Sequence, residues 1–184
     1  MYFDLLRDAR FYRLLPSFDE EIAAAARAGG CLVCGAVVHC APYPRKPRGG
    51  PADLGPEYDF RESFCCAKEG CRTRLTPPSL RFLGRKVYLG AVVVLVSAMR
   101  HGATPDRVAR LHEVTGASRR TIERWREWWR EAFAASPFWK AGAGRFGRPV
   151  ARGLLPLALL ERFAGDERER LVAALRFLSP TTTG

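Results

Sequence analysis

Two close pairs of cysteines constrain this chain more than any other feature. Cys31-Leu32-Val33-Cys34 is followed, after a gap, by Cys66-Ala67-Lys68-Glu69-Gly70-Cys71. Two such pairs can place four thiolates for tetrahedral coordination, which is the arrangement of structural zinc. Gly35 follows the first pair and permits the tight turn in which backbone N–H groups approach the sulfurs. Phe64 stands two residues before Cys66, on the same strand face and beside the metal. The surrounding stretch is rich in Pro and Gly, and its short apolar runs read as small strands. A bound metal supplies folding free energy that such a region cannot draw from its own core. The expectation is one structural Zn²⁺ on Cys31, Cys34, Cys66 and Cys71. The chain has six cysteines, so Cys65 is an alternative to Cys66, and His39 or Cys40 an alternative to a knuckle cysteine. Cys66 fits the aromatic-x-Cys-x4-Cys pattern, which leaves Cys40 and Cys65 as buried thiols. Disulfides are the lesser reading, because Asp4 and Asp8 stand where an export signal needs a basic and then an apolar stretch. A catalytic zinc would want a nearby general base, and neither Glu62 nor Glu69 forms a recognisable pattern.

Charge points to the partner. The 184 residues carry 30 Lys plus Arg against 19 Asp plus Glu, a formal net charge of +11. Such a balance favours polyanions. The excess is concentrated in residues 86–150, with twelve basic and five acidic side chains, net +7. Nearly all the cations are Arg, which forks onto phosphate and guanine as Lys cannot. No apolar run approaches the roughly 18 residues of a membrane span, so no membrane role is expected.

The charged middle contains a second motif, from Thr104 to Phe133. Thr104 caps a helix with Pro105 at its first position, and Val108 and Leu111 give it an apolar face. Thr115-Gly116-Ala117 reads as a turn, and Ser118 caps the next helix. Ile122, Trp125 and Trp129 recur at helical spacing and face inward. Arg119, Arg120, Thr121 and Arg124 then lie outward near the helix start, where a helix-turn-helix enters the major groove. Arg126 and Arg130, with Arg107 and Arg110 on the preceding helix, are candidate phosphate contacts. The bland counterpart is an αα corner whose Arg–Glu alternation is a solvated face.

The run Gly116-Ala-Ser-Arg-Arg-Thr-Ile-Glu-Arg-Trp125 resembles the turn and recognition helix of bacterial recombinases, transposases and regulators, often G-V-S-x-x-T-[IVL]-x-R-[WY]. With the cysteine pairs in front, ending in Cys71-Arg-Thr-Arg-Leu-Thr-Pro-Pro-Ser, residues 31–133 resemble the N-terminal half of zinc-ribbon insertion-sequence transposases. The whole chain is similar to small zinc-ribbon/helix-turn-helix proteins of bacterial mobile elements. The resemblance implies zinc on Cys31, Cys34, Cys66 and Cys71, and Arg119, Arg120, Thr121 and Arg124 facing DNA. The chain departs from a full transposase: the residues after the recognition helix are too few for a catalytic domain with three acidic metal ligands. The expected role is therefore a non-enzymatic one, a sequence-specific DNA-binding factor that targets or regulates transposition. Expected partners are double-stranded DNA, a transposase or integrase, and a second copy of the chain on paired half-sites. A cytoplasmic, nucleoid-associated location follows. A protein adaptor docking onto a transposase or nucleoprotein complex, and an RNA-binding ribbon, are the alternatives.

The predicted fold is mainly α, with a small zinc ribbon of short β-hairpins, a helix-turn-helix domain and C-terminal helices. Residues 1–30 read as a helical segment, its helix started by the capping-box pattern Ser17-Phe18-Asp19-Glu20 and ended by Gly29-Gly30. Residues 31–83 form the ribbon, with a Pro/Gly-rich loop at 41–56. The helix-turn-helix domain spans 84–135, opening with a buried helix from Lys86 to Arg100 closed by His101-Gly102. Residues 136–153 read as a linker, and 154–184 as a C-terminal segment with helices from Pro156 to about Ala164 and from Asp166 to about Leu178. Pro44-Arg45-Lys46-Pro47-Arg48-Gly49-Gly50 and Gly147-Arg148-Pro149 resemble minor-groove arms in composition, but read better as solvated linkers.

Overall fold

The computed structural model describes residues 2–83, 86–100 and 102–183. It is mainly α, with two small sheets among the described residues. Helix α1 (Ala9–Ala28) leads into five short strands: β1 (Val38–Cys40), β2 (Tyr43–Pro44), β3 (Phe60–Arg61), β4 (Phe64–Cys66) and β5 (Arg74–Leu75). Strands β1, β4 and β5 form one antiparallel sheet in that order, and β2 pairs with β3. Helices α2 (Gly90–Ser97), α3 (Pro105–Thr115), α4 (Arg119–Trp128), α5 (Pro137–Ala143), α6 (Leu157–Leu160) and α7 (Glu167–Leu178) follow.

Helix α1 begins well before the predicted capping box. Asp8 is its N-cap and accepts from the Arg10 amide at 3.0 Å. Ser17 instead lies inside the helix, where its hydroxyl donates to the Leu14 carbonyl at 2.8 Å. The reason is burial: Phe11, Tyr12 and Leu15 form an apolar stripe ahead of Ser17, and packing outweighs a local cap signal. Pro16 sits within this helix and has no amide to offer the Tyr12 carbonyl. The Tyr58 hydroxyl donates to that carbonyl instead, at 2.6 Å, so the proline is accommodated by a tertiary contact.

Helix α2 is the axis of the main core. All eight of its residues are buried, which matches an all-round apolar sequence. It packs against α4 and α7. The predicted helix from Lys86 to Arg100 is thus shorter at both ends. Before it, Leu89 is held in extended pairing: its amide donates to Arg48 O and the Gly90 amide to Arg81 O. Backbone partners from two other segments outcompete another helical turn. The helix ends at Ser97; His101, expected to close it, lies outside the described residues.

The predicted linker 136–153 is also corrected. Ser136 caps α5, accepting from the Trp139 amide at 3.1 Å, with Pro137 at the first position. This is the Thr104-Pro105 signal again, obscured by the surrounding Gly and Arg. Trp139 is buried among Phe133, Phe146 and Phe177. Aromatic packing, rather than local propensity, orders this segment. The predicted helix from Pro156 is reduced to Leu157–Leu160, while Asp166 and Glu169 form a reciprocal capping box on α7.

One buried polar cluster joins α1 to the chain that follows β5. Asp19 accepts from Ser79 Oγ at 2.5 Å, the Leu80 amide at 2.6 Å and Arg81 Nε at 2.8 Å. Arg81 also donates to the Glu57 carbonyl. The Thr182 hydroxyl accepts from the Ser79 amide at 2.9 Å, tying the C-terminal turn to the same segment.

Candidate metal centre and nucleic-acid interface

The first cysteine pair is delivered by the end of α1. The Gly29 amide bonds back to Ala25 O, and Gly30 turns the chain at φ +70°. A side chain at Gly30 would press on the Gly35 and Ala36 carbonyls at 3.0 and 3.1 Å, so this close backbone crossing requires glycine. The Cys31 amide donates to Ala36 O and the Gly35 amide to Cys31 O, closing the loop around the two thiols. The second pair begins on β4. The Cys66 amide bonds Thr73 O, and the Cys71 amide bonds Lys68 O across a turn containing Gly70 at φ +81°.

These loops bring Cys31, Cys34, Cys66 and Cys71 together, with all four sulfurs within 4.8 Å of one another. Cys31 Sγ lies 3.7 Å from Cys71 Sγ, and Cys34 Sγ lies 3.5 Å from Cys66 Sγ. A tetrahedral Zn–S bond of about 2.3 Å implies sulfurs about 3.8 Å apart. The donor set and spacing therefore fit one metal site. The Thr73 hydroxyl, 3.2 Å from Cys71 Sγ, and the Thr73 amide bring the Cys71 thiol down to about 6. The amides of Val33 and Cys34 lower Cys31, whereas burial pushes Cys66 up to about 12.

The competing residues lie apart from this group. His39 and Cys65 are cross-strand partners, and strand alternation puts them on the face opposite Cys66. Cys65 Sγ lies 3.6 Å from Arg72 O, and Cys40 is exposed rather than buried as expected. Phe64 is buried in one small cluster with Ala23, Cys31, Val38 and Cys66, as its spacing from Cys66 predicts. Leu32, Val33 and Val37 are left exposed at the tip.

The second candidate site is the surface of α3 and α4. Thr104 and Ser118 cap the two helices as predicted, and Gly116 at φ +66° turns between them. Ile122, Trp125 and Trp129 are buried, so the opposite face of α4 is held outward. Arg119, Arg120 and Arg124 are on that exposed face. Arg119 is engaged with Glu123 at 2.8 Å. Thr121 is half-buried, with its hydroxyl 3.0 Å from that of Ser118. Arg126 is half-buried; burial, then the charges of Arg130 and Arg107, lower its pKa, while Glu123 acts to raise it. Arg107 reaches Gly102 O at 3.5 Å, and Arg130 reaches Arg126 O at 3.3 Å. Arg110 stands over the Phe3 ring at 5.3 Å and lines a cavity with Arg100 and Arg107. The predicted set thus divides into an exposed α4 face, Arg126 with Arg130 bonded to its carbonyl, and Arg107 and Arg110 lining one cavity.

Lys86 belongs to this surface and was not among the predicted contacts. Its ammonium lies 4.2 Å from the Trp128 ring centroid, and burial together with the charge of Arg124 lowers its pKa. No periodicity marks it, because it reaches α4 only through tertiary packing.

No protein-family model matches this chain, nor does any curated protein or solved structure.

Proposed function

We propose that this protein is a sequence-specific binder of duplex DNA, in which a four-cysteine zinc site holds a ribbon beside a helix-turn-helix. The observation that carries the reading is the division of α4: its aromatic side is locked into the core while Arg120 and Arg124 are exposed on the outer side. A rigid helix presenting guanidinium groups is the geometry for reading guanine edges in the major groove. Arg119 joins them by exchanging Glu123 for DNA. Arg107, Arg126 and Arg130 supply further positive charge that phosphate would neutralise. Zinc on Cys31, Cys34, Cys66 and Cys71 supplies no chemistry beyond cross-linking two loops that have little core of their own. The role is non-enzymatic targeting or regulation in a mobile element, at the nucleoid, with a second copy on a paired half-site.

The test is selection of bound duplexes from a random pool at about 150 mM salt, where purely electrostatic binding is weakened. Zinc-loaded wild type and an Arg120→Ala/Arg124→Ala variant are compared. A motif recovered by wild type and lost by the variant supports the reading; no enriched motif overturns it. A second reading, an adaptor that docks on a transposase, is favoured by the exposed Leu32, Val33 and Val37. Binding that persists at high salt and fails on substituting those three residues would favour it.

A further inference from the structure

The basic loop at residues 45–50 is not a free linker, and its location adds to the α4 surface. Its backbone is clamped at Arg48, whose amide donates to Val87 O at 3.1 Å and whose carbonyl accepts from the Leu89 amide at 3.1 Å. Arg45 reaches Lys86 O at 2.8 Å. Gly49, at φ +86°, lies so close that a side chain there would meet Tyr88 and Val92 at 2.9 Å and the Thr115 carbonyl at 3.3 Å. Only glycine permits this approach, and it sets the loop against the end of α3. Tyr88 completes the connection: its hydroxyl donates to Gly116 O at 3.2 Å, and its ring meets Trp125 edge-on at 4.8 Å. The loop is therefore fixed to the turn between α3 and α4.

The side chains of Lys46 and Arg48 are nevertheless exposed. Lys86, just before the clamp, joins the loop to α4: its carbonyl accepts from Arg45 at 2.8 Å and its ammonium lies 4.2 Å from the Trp128 ring centroid. Cationic groups thus continue from α4 across Lys86 onto the loop. We infer that the 45–50 loop is a second contact for duplex DNA, in which Lys46 and Arg48 hold phosphates flanking the groove that Arg120 and Arg124 enter. The inference rests on the reading of α4 as a DNA-binding helix. Rigid attachment is what separates it from a solvated charged loop, because a clamped backbone has little conformational entropy left to lose on meeting phosphate.

The experiment uses the zinc-loaded full chain and the duplex selected by wild type. Affinity is measured against salt for wild type, Lys46→Ala/Arg48→Ala and Arg120→Ala/Arg124→Ala. Each phosphate contact contributes about 0.9 to the slope of log affinity on log salt. The loop variant should lower the magnitude of that slope by about 1.8 and weaken matched and mismatched duplexes by the same factor. The α4 variant should instead abolish the difference between matched and mismatched duplexes. A slope unchanged in the loop variant, with discrimination lost in the α4 variant, overturns the loop contact while leaving the α4 reading intact. Failure of wild type to prefer any duplex, or its preference for structured RNA, overturns the α4 reading itself. Lys46→Gln/Arg48→Gln is run in parallel, and its slope must fall by the same amount as the Ala pair; a slope retained by the Gln pair overturns the contact.

Discussion

Replacing Asp19 with Ala should be among the most destabilising single changes in this protein. The Asp19 and Arg81 side chains are 1% and 4% exposed, so solvent does little to screen the charge left behind. The carboxylate accepts from the Ser79 hydroxyl, the Leu80 amide and Arg81 Nε. Its removal strands a buried guanidinium and two further donors together. Breaking a buried pair in this way costs about 3–5 kcal/mol. In a chain of this size each kcal/mol moves Tm by roughly 2–4 °C, so the expected fall is roughly 6–20 °C. Tryptophan emission during urea unfolding measures the free-energy loss and during heating the fall in Tm, since Trp125, Trp129 and Trp139 are all buried. Combining Asp19→Ala with Arg81→Met should cost less than the two single changes summed, because the stranded charge is gone. A loss below about 1 kcal/mol, the worth of an exposed ion pair, would refute the argument. So would strict additivity.

Three further outcomes are expected. Cobalt substituted into the protein should give thiolate charge-transfer absorption that Cys31→Ser, Cys34→Ser, Cys66→Ser and Cys71→Ser each reduce and Cys40→Ser and Cys65→Ser leave unchanged; an equal loss in Cys65→Ser would displace Cys66 from the site. Gly30→Ala should cost about 1–2 kcal/mol from the left-handed backbone alone, read by chemical unfolding, and a neutral result would mean the loop can move away from the Gly35 and Ala36 carbonyls. Although burial acts to raise its pKa, the Arg168 guanidinium at 2.5 Å and the Phe11 and Arg10 amides hold the Asp8 carboxyl below its ordinary value. A carboxylate lowered by folding stabilises above its unfolded pKa of about 3.9 and loses that contribution as pH falls through its lower folded value. The stability gap between wild type and Asp8→Asn, which keeps a capping side chain, should therefore be present at neutral pH, begin to shrink below about pH 4 and vanish only below the lower folded pKa; a gap unchanged in acid would show that the charge contributes nothing.

The parts legible in the sequence are those set by neighbours along the chain. The cysteine spacing points to Cys66 rather than Cys65 because strand alternation puts Phe64 and Cys66 on one face. The caps at Thr104 and Ser118, the turn at Gly116 and the inward Ile122, Trp125 and Trp129 follow from the 3.6-residue period and from side chains that bond amides three residues on. The parts that stayed hidden depend on partners distant in sequence. Ser17 loses its cap because Phe11, Tyr12 and Leu15 find a core ahead of it. Trp139 turns a Gly- and Arg-rich stretch into packed helix because Phe133, Phe146 and Phe177 surround it. Lys86 and the 45–50 loop reach the α4 surface only because Arg48 pairs with the backbone at Val87 and Leu89. Local spacing determined which side chains could cap, ligate or face inward. Burial and backbone pairing across the fold decided which of those options was realised, since an apolar face or a free amide is satisfied only by what the rest of the chain brings to it.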